Sequence, residues 1–596
     1  MFKGHPKGLY ALALANTGER FGYYTMLAVF ALFLRENFGL ASGTAGAIYS
    51  TFLGLVYFMP LIGGMMADKF GFGRMVTTGI MVMFGGYLLL SVPLGGETLA
   101  MIAMMAALVL ISVGTGLFKG NLQVMVGDLY NDPKYADKRD SGFSLFYMAI
   151  NVGSLFAPTT AIGMKNYAMN TLGFSSNDAY HFSFMVACVA LIVSIMIYYV
   201  FRFTFRHVEG GKKKGETAQV VDNLTAEETK QRVVALCLVF AVVIFFWMAF
   251  HQNGLTLTYF ADEFTNTSAF GFETMLFNVW NLALIIVAVY ASFSIFQSES
   301  AKGKLLSGVL ASAILAFLVY RAMGIEATAE VAVAAPIFQQ FNPFYVVALT
   351  PVSMAIFGSL ARKGKEPSAP RKIAFGMLVA AIGFAIMAVG SQGLNTPNQQ
   401  AQAIAVNKAE AYAAKCYTVA ADVEALKEAD GKANAEVKAA QDFMGKLNDK
   451  TRPVFTDVYN AQCVVLLSEA APVVEESAAV VEAKATLEAI KSETKPETRT
   501  SAYWLIFTYL ILTFAELLLS PMGISFVSKV APPKYKGLMM GGWFVATAIG
   551  NLLVSVGGFL WAGLPLWSVW TVFIVLCLIS ALFMFVMMKR LERVTK

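Results

Sequence analysis

Four ionisable side chains stand inside runs that are otherwise apolar: Glu19 and Arg20 in the first, Lys119 in a second and Glu516 in a third. Each run is otherwise uncharged for about 25 residues, the length of a membrane-crossing helix. A charge at a bilayer centre costs roughly 2.5 to 3.5 kcal/mol on insertion scales, so such residues pair with one another or face a water-filled path. Two acids and two bases at this depth point to a pathway for a polar cargo.

In the first run Asn16, Glu19, Arg20, Tyr23 and Tyr24 follow i, i+3, i+4, i+7, i+8 spacing and share one helical face, which is too polar to meet lipid. Either Glu19 and Arg20 form a buried pair that locks helices together, or the face lines a solvated ligand site, which two tyrosines and an amide beside the pair favour. Lys119 lies late in its run, flanked by Asn121 and Gln123. It either snorkels to a membrane surface or faces a cavity, where it can pair with Glu19 and exchange partners when a proton or a carboxylate arrives.

The elements that must hold these groups are legible in composition. Of 596 residues, 57% are hydrophobic and 14% charged, against about 25% charged in soluble domains; an integral membrane protein of all-α type is expected. Apolar runs near 9–35, 45–67, 75–95, 99–128, 142–163, 181–201, 233–259, 273–297, 305–323, 335–360, 373–391, 502–527, 538–561 and 566–588 give 14 candidate spans. Loop Lys and Arg concentrate in alternate loops, including Asp68–Arg74, Asn131–Asp140, Arg202–Arg232 and Ala361–Lys372, which places both termini in the cytoplasm. The first run carries Glu19 and Arg20 in its middle and is too long for a cleavable signal peptide, so it reads as a retained helix.

Segment 392–500 departs from this pattern, with 12 basic and 16 acidic residues and much Ala. It reads as an extracytoplasmic insertion of two to four helices, a thin hairpin or small bundle. Cys416 and Cys463 fall within it and form either a disulfide or two free thiols. Cys188, Cys237 and Cys577 lie in spans and read as small packing residues.

Several motifs carry further chemistry. Gly64-Met-Met-Ala-Asp68-Lys-Phe-Gly-Phe-Gly73-Arg74 matches the G-x-x-x-D-x-x-x-G-R loop of major facilitator transporters, in which Asp68 and Arg74 can bind neighbouring helix ends in one conformational state; a solvated turn is the plain alternative. Phe146-Tyr147-x-x-Ile150-Asn151-x-Gly153-Ser154-Leu155 resembles the signature of the proton-dependent oligopeptide transporter family, the peptide and nitrate transporter branch of that superfamily. The resemblance continues in Glu19-Arg20-Phe-Gly-Tyr-Tyr24, Phe118-Lys119-x-Asn121, Phe246-Trp247-x-x-x-x-Gln252, Gln339-x-x-Asn342-Pro343, Glu516-Leu-x-x-Ser520-Pro521-x-Gly523 and Gly541-Gly-Trp543-Phe544.

The resemblance implies a central site between two six-helix halves. Arg20 and Lys119 would receive a peptide carboxylate; Glu516, with Asn151 and Asn342, would receive the amino group; Tyr23, Tyr24, Tyr57, Gln252, Ser520 and Trp543 would line the pocket. Bare physics agrees, since cations at one end and an anion at the other suit a zwitterion. Taken alone, Asn151 and Asn342 read as interhelical hydrogen-bonding residues, and the tyrosines and Trp543 as packing or interfacial groups. For coupling, Glu19, Lys119, His251 and Glu516 are the proton candidates. The family's first glutamate is Asn16 here, which cannot titrate, and the commonly acidic position before Gln252 is His251, which either titrates near neutrality or serves as a neutral hydrogen-bonding group.

The expected architecture is a major facilitator fold of two six-helix halves plus an additional helix pair: 1–206 the N-terminal half, 207–232 a cytoplasmic loop, 233–270 the seventh helix, 271–325 the additional pair at the periphery, 334–391 the eighth and ninth helices, 392–500 the insertion and 501–596 the last three helices. The expected activity is proton-coupled import of di- and tripeptides by alternating access in an inner or plasma membrane. A carrier of nitrate, another small anion or a modified amino compound is the alternative, and a non-transporting nutrient sensor a further one. No cofactor beyond the coupling proton, no nucleic-acid partner and a monomeric functional unit are expected. An ATP-driven machine is disfavoured because no G-x-x-x-x-G-K-[ST] loop occurs. A metal-dependent enzyme is disfavoured because His5, His181, His207 and His251 form no H-E-x-x-H pattern.

Overall fold

The computed structural model describes residues 4–94, 96–210, 224–420, 450–469 and 478–593, with a few positions between 439 and 447. Its helices of eight residues or more run in chain order. The first six are α1 (Lys7–Phe38), α2 (Ser42–Phe70), α3 (Phe72–Ser91), α4 (Glu97–Asp128), α5 (Arg139–Asn170) and α6 (Ser176–Val200). After the linker come α7 (Ala226–Phe250) and α8 (Thr256–Glu263), then α9 (Val279–Gln297) and α10 (Ala301–Met323), then α11 (Phe341–Arg362) and α12 (Ala369–Gly390). The insertion holds α13 (Pro397–Ala420), α14 (Thr451–Glu469) and α15 (Ala478–Glu493). The chain closes with α16 (Tyr503–Val530), α17 (Lys536–Leu552), α18 (Ser555–Gly563) and α19 (Leu566–Arg593).

Among the described residues, 13 helical segments are long and apolar enough to cross a membrane. Helix α1 is not one of them, because Glu19, Arg20, Arg35 and Glu36 hold its hydropathy down, yet it runs through the N-terminal half between α5 and α6. In that half α3 packs on α4 and α6, and α2 on α4. The C-terminal half repeats the scheme: α12 packs on α16 and α19, while α7 packs on α17 and α19. The halves meet where α2 lies on α17 and α18 and where α5 lies on α11. This is the expected all-α major facilitator arrangement.

Local chemistry moves several boundaries. Helix α7 starts seven residues before its apolar run because Thr225 and Glu228 form a reciprocal capping box that satisfies orphan N–H groups. The seventh span does not continue to residue 270. It passes through a 3-10 turn at His251–Gly254, ends at Glu263, and gives way to a strand, β1 (Ser268–Phe270). Gly254 sits at that break because a Cβ there would fall 2.0 Å from Tyr49 Oη on α2. Strand β1 pairs antiparallel with β2 (Glu330–Ala332), so the additional helix pair is closed at its root. The eleventh span is likewise divided, into α17 and α18.

The additional pair is largely exposed. Only Ala311 and Ile314 of α10 are buried, whereas Leu305, Leu306, Tyr320 and Met323 are at least 69% exposed and suited to lipid contact. Arg321 Nη1 donates to Asn281 Oδ1 at 2.7 Å and ties α10 to the base of α9. The insertion is a small bundle with its own apolar cluster, built from Ala405, Ala409, Phe455, Val458, Val465 and Leu487. Pairing of Cys463 with Cys416 falls outside the described residues. Cys188 and Cys577 are buried packing residues, but Cys237 is exposed on α7, because its position turns away from the helix's buried stripe.

The ends of the bundle differ. Helices α1 and α8 end together beneath the insertion. Helix α19 ends at the opposite face, where Glu592 accepts from Ser368 at 2.6 Å and pairs with Arg371 at 2.7 Å at the start of α12.

Candidate substrate cavity

The polar face of α1 is buried as its spacing requires. Asn16, Glu19, Arg20 and Tyr23 are at most 2% exposed, and Tyr24 is half-buried. Arg20 folds back on its neighbour, with Nε 2.6 Å from Glu19 Oε2 and Nη2 donating to Oε1 at 3.0 Å. Its guanidinium also lies 5.0 Å from the Tyr23 ring centroid. Because the pair is contained within one helix, it does not lock α1 to another, and the ligand-site reading of this face gains. The amide nitrogen of Asn16 has no hydrogen-bond partner among the described residues.

Lys119 comes from α4 and is half-buried, with Nζ 4.3 Å from the Tyr57 ring centroid. Glu19 and Arg20 both lie within its electrostatic reach. No Lys119–Glu19 ion pair is formed among the described residues in this state, in which Glu19 is paired with Arg20. A lysine held over an aromatic face in the bundle interior is not snorkelling; its ammonium is available to an anion.

Glu516 of α16 makes the other end. It is 8% exposed and accepts from Asn342 Nδ2 at 3.0 Å and from Tyr147 Oη at 3.2 Å. Asn342 Nδ2 also reaches Thr513 Oγ1 at 3.1 Å. Among the described residues no cation lies at ion-pair distance from this carboxylate. Asn151 does not touch Glu516: its amide donates to the Tyr147 carbonyl at 3.0 Å, one turn below on α5, and so supports Tyr147 instead. Tyr147 is the site residue that sequence reasoning missed. Its signal was the i, i+4 spacing to Asn151, which puts both on one face of α5. Ser520, four residues beyond Glu516 on α16, is half-buried.

Tyr57 lies beside Lys119, and Tyr24 packs edge-on against Tyr23 with ring centroids 5.2 Å apart. His251 stands in the 3-10 break of the seventh span, stacked on Trp247 at 5.1 Å and 6.0 Å from the Tyr57 ring. Its polar neighbours are Asn551 of α17 and the Trp247 backbone. Two pocket assignments change. Gln252 is fully buried, donates to the Met248 and Val554 carbonyls at 3.1 and 3.0 Å, and accepts from Thr256 at 2.8 Å, so its amide ties the α7 break to α18 rather than facing a ligand. Trp543 is 4% exposed and packs edge-on against Phe240 of α7, a core contact between helices.

The end beneath the insertion is closed. Arg35 of α1 forms an ion pair with Glu263 of α8, joining the two halves, and lies over the Tyr259 ring at 4.5 Å. Trp561 Nε1 donates to the second Glu263 oxygen at 3.1 Å. Gln339 Nε2 donates to the Ala28 carbonyl at 3.0 Å and to Thr258 Oγ1 at 3.1 Å. Alongside, α2 and α18 touch through glycine: a Cβ on Gly558 would lie 2.6 Å from the Ser42 carbonyl oxygen. Sequence reasoning passed over Arg35 and Glu263 because each sits at the edge of a run, where charges are ordinary. At the opposite end Asp68 and Arg74 are exposed and make no ion pair among the described residues in this state. Their turn is instead anchored by the Gly73 N–H donating to the Glu209 carbonyl at 3.1 Å.

Among the described residues no group of three His, Cys, Asp or Glu could hold a metal ion. What the cavity offers is a cationic end, an anionic end and aromatic hydroxyls between them, which can bind an elongated zwitterion by its termini.

The POT family model matches residues 74–230, 309–440 and 473–559, more than half of the chain. The uncharacterised transporter YclF of Bacillus subtilis is 30% identical over 65% of this chain and 74% of its own length. The peptide transporter YePEPT of Yersinia enterocolitica is 26% identical over 94% of this chain and 88% of its own. A peptide transporter POT crystallised with sulfate superposes with a TM-score of 0.63 at 19% identity, covering 100% of this chain and 96% of that one. A POT family transporter in complex with 5-aminolevulinic acid gives 0.63 at 18% identity over 100% and 98%. The chain is therefore a membrane transporter, not an enzyme, and belongs to the POT family.

Proposed function

We propose that this transporter imports di- and tripeptides together with protons, by alternating access of its two halves. The observation that carries the reading is the charge without an ion-pair partner, among the described residues, at each end of one cavity: Glu516, held by the neutral donors Asn342 and Tyr147, and Lys119, held over an aromatic ring. A peptide supplies the ammonium for one and the carboxylate for the other. Relatives named as a peptide transporter and as a di-/tripeptide transporter support the same substrate class.

Proton coupling falls to Glu19, Lys119, His251 and Glu516. A proton entering with the cargo gains about 2.3 kcal/mol per 100 mV of membrane potential, enough to drive accumulation. With the gate of Arg35 and Glu263 closed while Tyr147 is 42% exposed at the centre, the state described here supports a cavity open toward the termini. We assign the termini to the cytoplasm of a plasma or inner membrane, residues 392–500 to the outer side, and transport to the monomer. No cofactor is required beyond the proton.

A small anion as cargo is the second reading, favoured by Lys119, whose ammonium lies over the Tyr57 ring with the His251 ring 6.0 Å from the same tyrosine. Dipeptide uptake into proteoliposomes under an imposed pH gradient tests both, comparing the parent with Lys119→Ala and His251→Ala. Peptide import requires a free amino terminus and falls about 10- to 100-fold when Lys119 is lost. Uptake indifferent to amino blocking or to collapse of pH and voltage gradients would sink the symport reading.

A further inference from the structure

The additional helix pair is fixed to one half of the protein and touches the other. Its base belongs to the C-terminal half: β1 pairs with β2, and the Phe277 ring packs on Phe338 and on Phe341, at the start of α11, with centroids 5.4 and 5.9 Å apart. The first turn of α9 is set as firmly. Asn278 Oδ1 accepts from the N–H groups of Trp280 and Asn281 at 3.0 and 3.4 Å, a side-chain cap on orphan donors. Asn281 Nδ2 donates to the Met275 carbonyl at 3.1 Å, and its Oδ1 receives Arg321 from the last turn of α10. Where Trp280 stands is therefore decided by the C-terminal half.

Trp280 packs on the N-terminal half. Its ring lies 5.2 Å from that of Phe156 on α5, at an interplanar angle of 57°. Close by on α5, Thr159 Oγ1 donates to Gln340 Oε1 at 3.0 Å. Phe156 and Thr159 are three residues apart and share one face of that helix. Gln340 ends the 3-10 turn Ala335–Gln340 and is fully buried, and its Nε2 donates to the Phe277 carbonyl, at the foot of α9, at 3.4 Å. One stripe of α5 is met twice, by the first turn of α9 and by the glutamine bonded to its foot. Both contacts lie at the gate end beneath the insertion, where the neighbouring Gln339 crosses to the Ala28 carbonyl of α1.

We propose that the additional helix pair is part of the outer gate: its base braces the N-terminal half through Trp280 on Phe156 and through Gln340 on Thr159, and so favours the closed state. The brace rests on the alternating access proposed above, in which the halves part at this end and both contacts break. The full chain in nanodiscs, with its native cysteines replaced and spin labels at Ser176→Cys on α6 and Gln392→Cys after α12, reports the gate distance by electron–electron resonance; both positions are exposed and they lie on opposite halves. Trp280 is 66% exposed, so its truncation opens no core cavity. Trp280→Ala should raise the ratio of open to closed populations roughly two- to tenfold, the range for an aromatic pair, and Trp280→Phe should return it to near the parent value. Thr159→Val, which removes the donor to Gln340, should raise it by about the same factor, and Thr159→Ser should not. Phe296→Ala, at an 86% exposed position near the other end of α9, should leave the ratio unchanged. Two parental populations whose ratio Trp280→Ala leaves unmoved, or Phe296→Ala moves as far, would overturn the brace while sparing alternating access. A single gate distance with and without dipeptide would overturn both.

Discussion

The two ends of the cavity solve the problem of a buried charge differently. At the α1 end, Glu19 has its counter-ion on the next residue, so the pair is neutral as a unit and Lys119 is left with the surplus positive charge. At the α16 end, Glu516 has two neutral donors from α5 and α11, one from each half of the protein. A carboxylate held this way stays in place without being neutralised. One end is a salt bridge within one helix with a cation beside it; the other is an anion held by two hydrogen bonds, of which the one from Tyr147 crosses between the halves. The second can report cargo binding to both halves at once, which the first, contained within α1, cannot.

That contrast can be broken at its strongest point by Glu516→Gln, which keeps the shape and removes the charge. Peptide uptake should fall by roughly 100-fold or more, in line with about 3 to 5 kcal/mol for breaking a buried charged contact; a dipeptide uptake assay at fixed pH gradient reads it. Lys119→Ala comes next, with a loss of about 10- to 100-fold for a charge-assisted contact worth roughly 1.5 to 3 kcal/mol, and with competition by free carboxylates lost as well. Tyr147→Phe removes one neutral donor from Glu516 and should raise the apparent KM about fivefold, for about 1 kcal/mol; an unchanged KM would mean the Tyr147 bond does not organise the amine end. The smallest effect on binding belongs to Gln252→Ala. Its loss should leave KM within about twofold while lowering the melting temperature, since unmet buried carbonyls cost about 1 to 3 kcal/mol. Thermal unfolding in detergent beside uptake kinetics separates the two effects.

The charged members of the site were legible in the sequence because Arg20, Lys119 and Glu516 interrupt runs where any charge is anomalous. Asn342 and Asn151 were legible as polar residues but not in their partners: the same amide chemistry serves Glu516 in one case and a backbone carbonyl one turn away in the other. Gln252 shows the limit most clearly. Nothing in its run distinguishes an amide that faces a cavity from one that holds the break of α7 against α18, because that choice is made by helices 300 residues apart in sequence. The spans were readable from hydropathy, whereas the breaks within them at His251–Gly254 and between α17 and α18 follow from tertiary packing. The start of α7 was readable in principle from Thr225 and Glu228, and strands of three residues are too short to have a period.

The additional helix pair and the insertion have in common that each begins and ends at one place. Strands β1 and β2 pair Ala269 with Val331 across the root of the former, and Asn395, Gln400 and Thr498 bond across the root of the latter. To the rest of the chain, each excursion is therefore no longer than the gap its root spans, since the entropy of closing a loop grows only slowly with its length. The same stitching makes these two junctions the natural places to graft a reporter or exchange a module without shifting the register of any helix that follows.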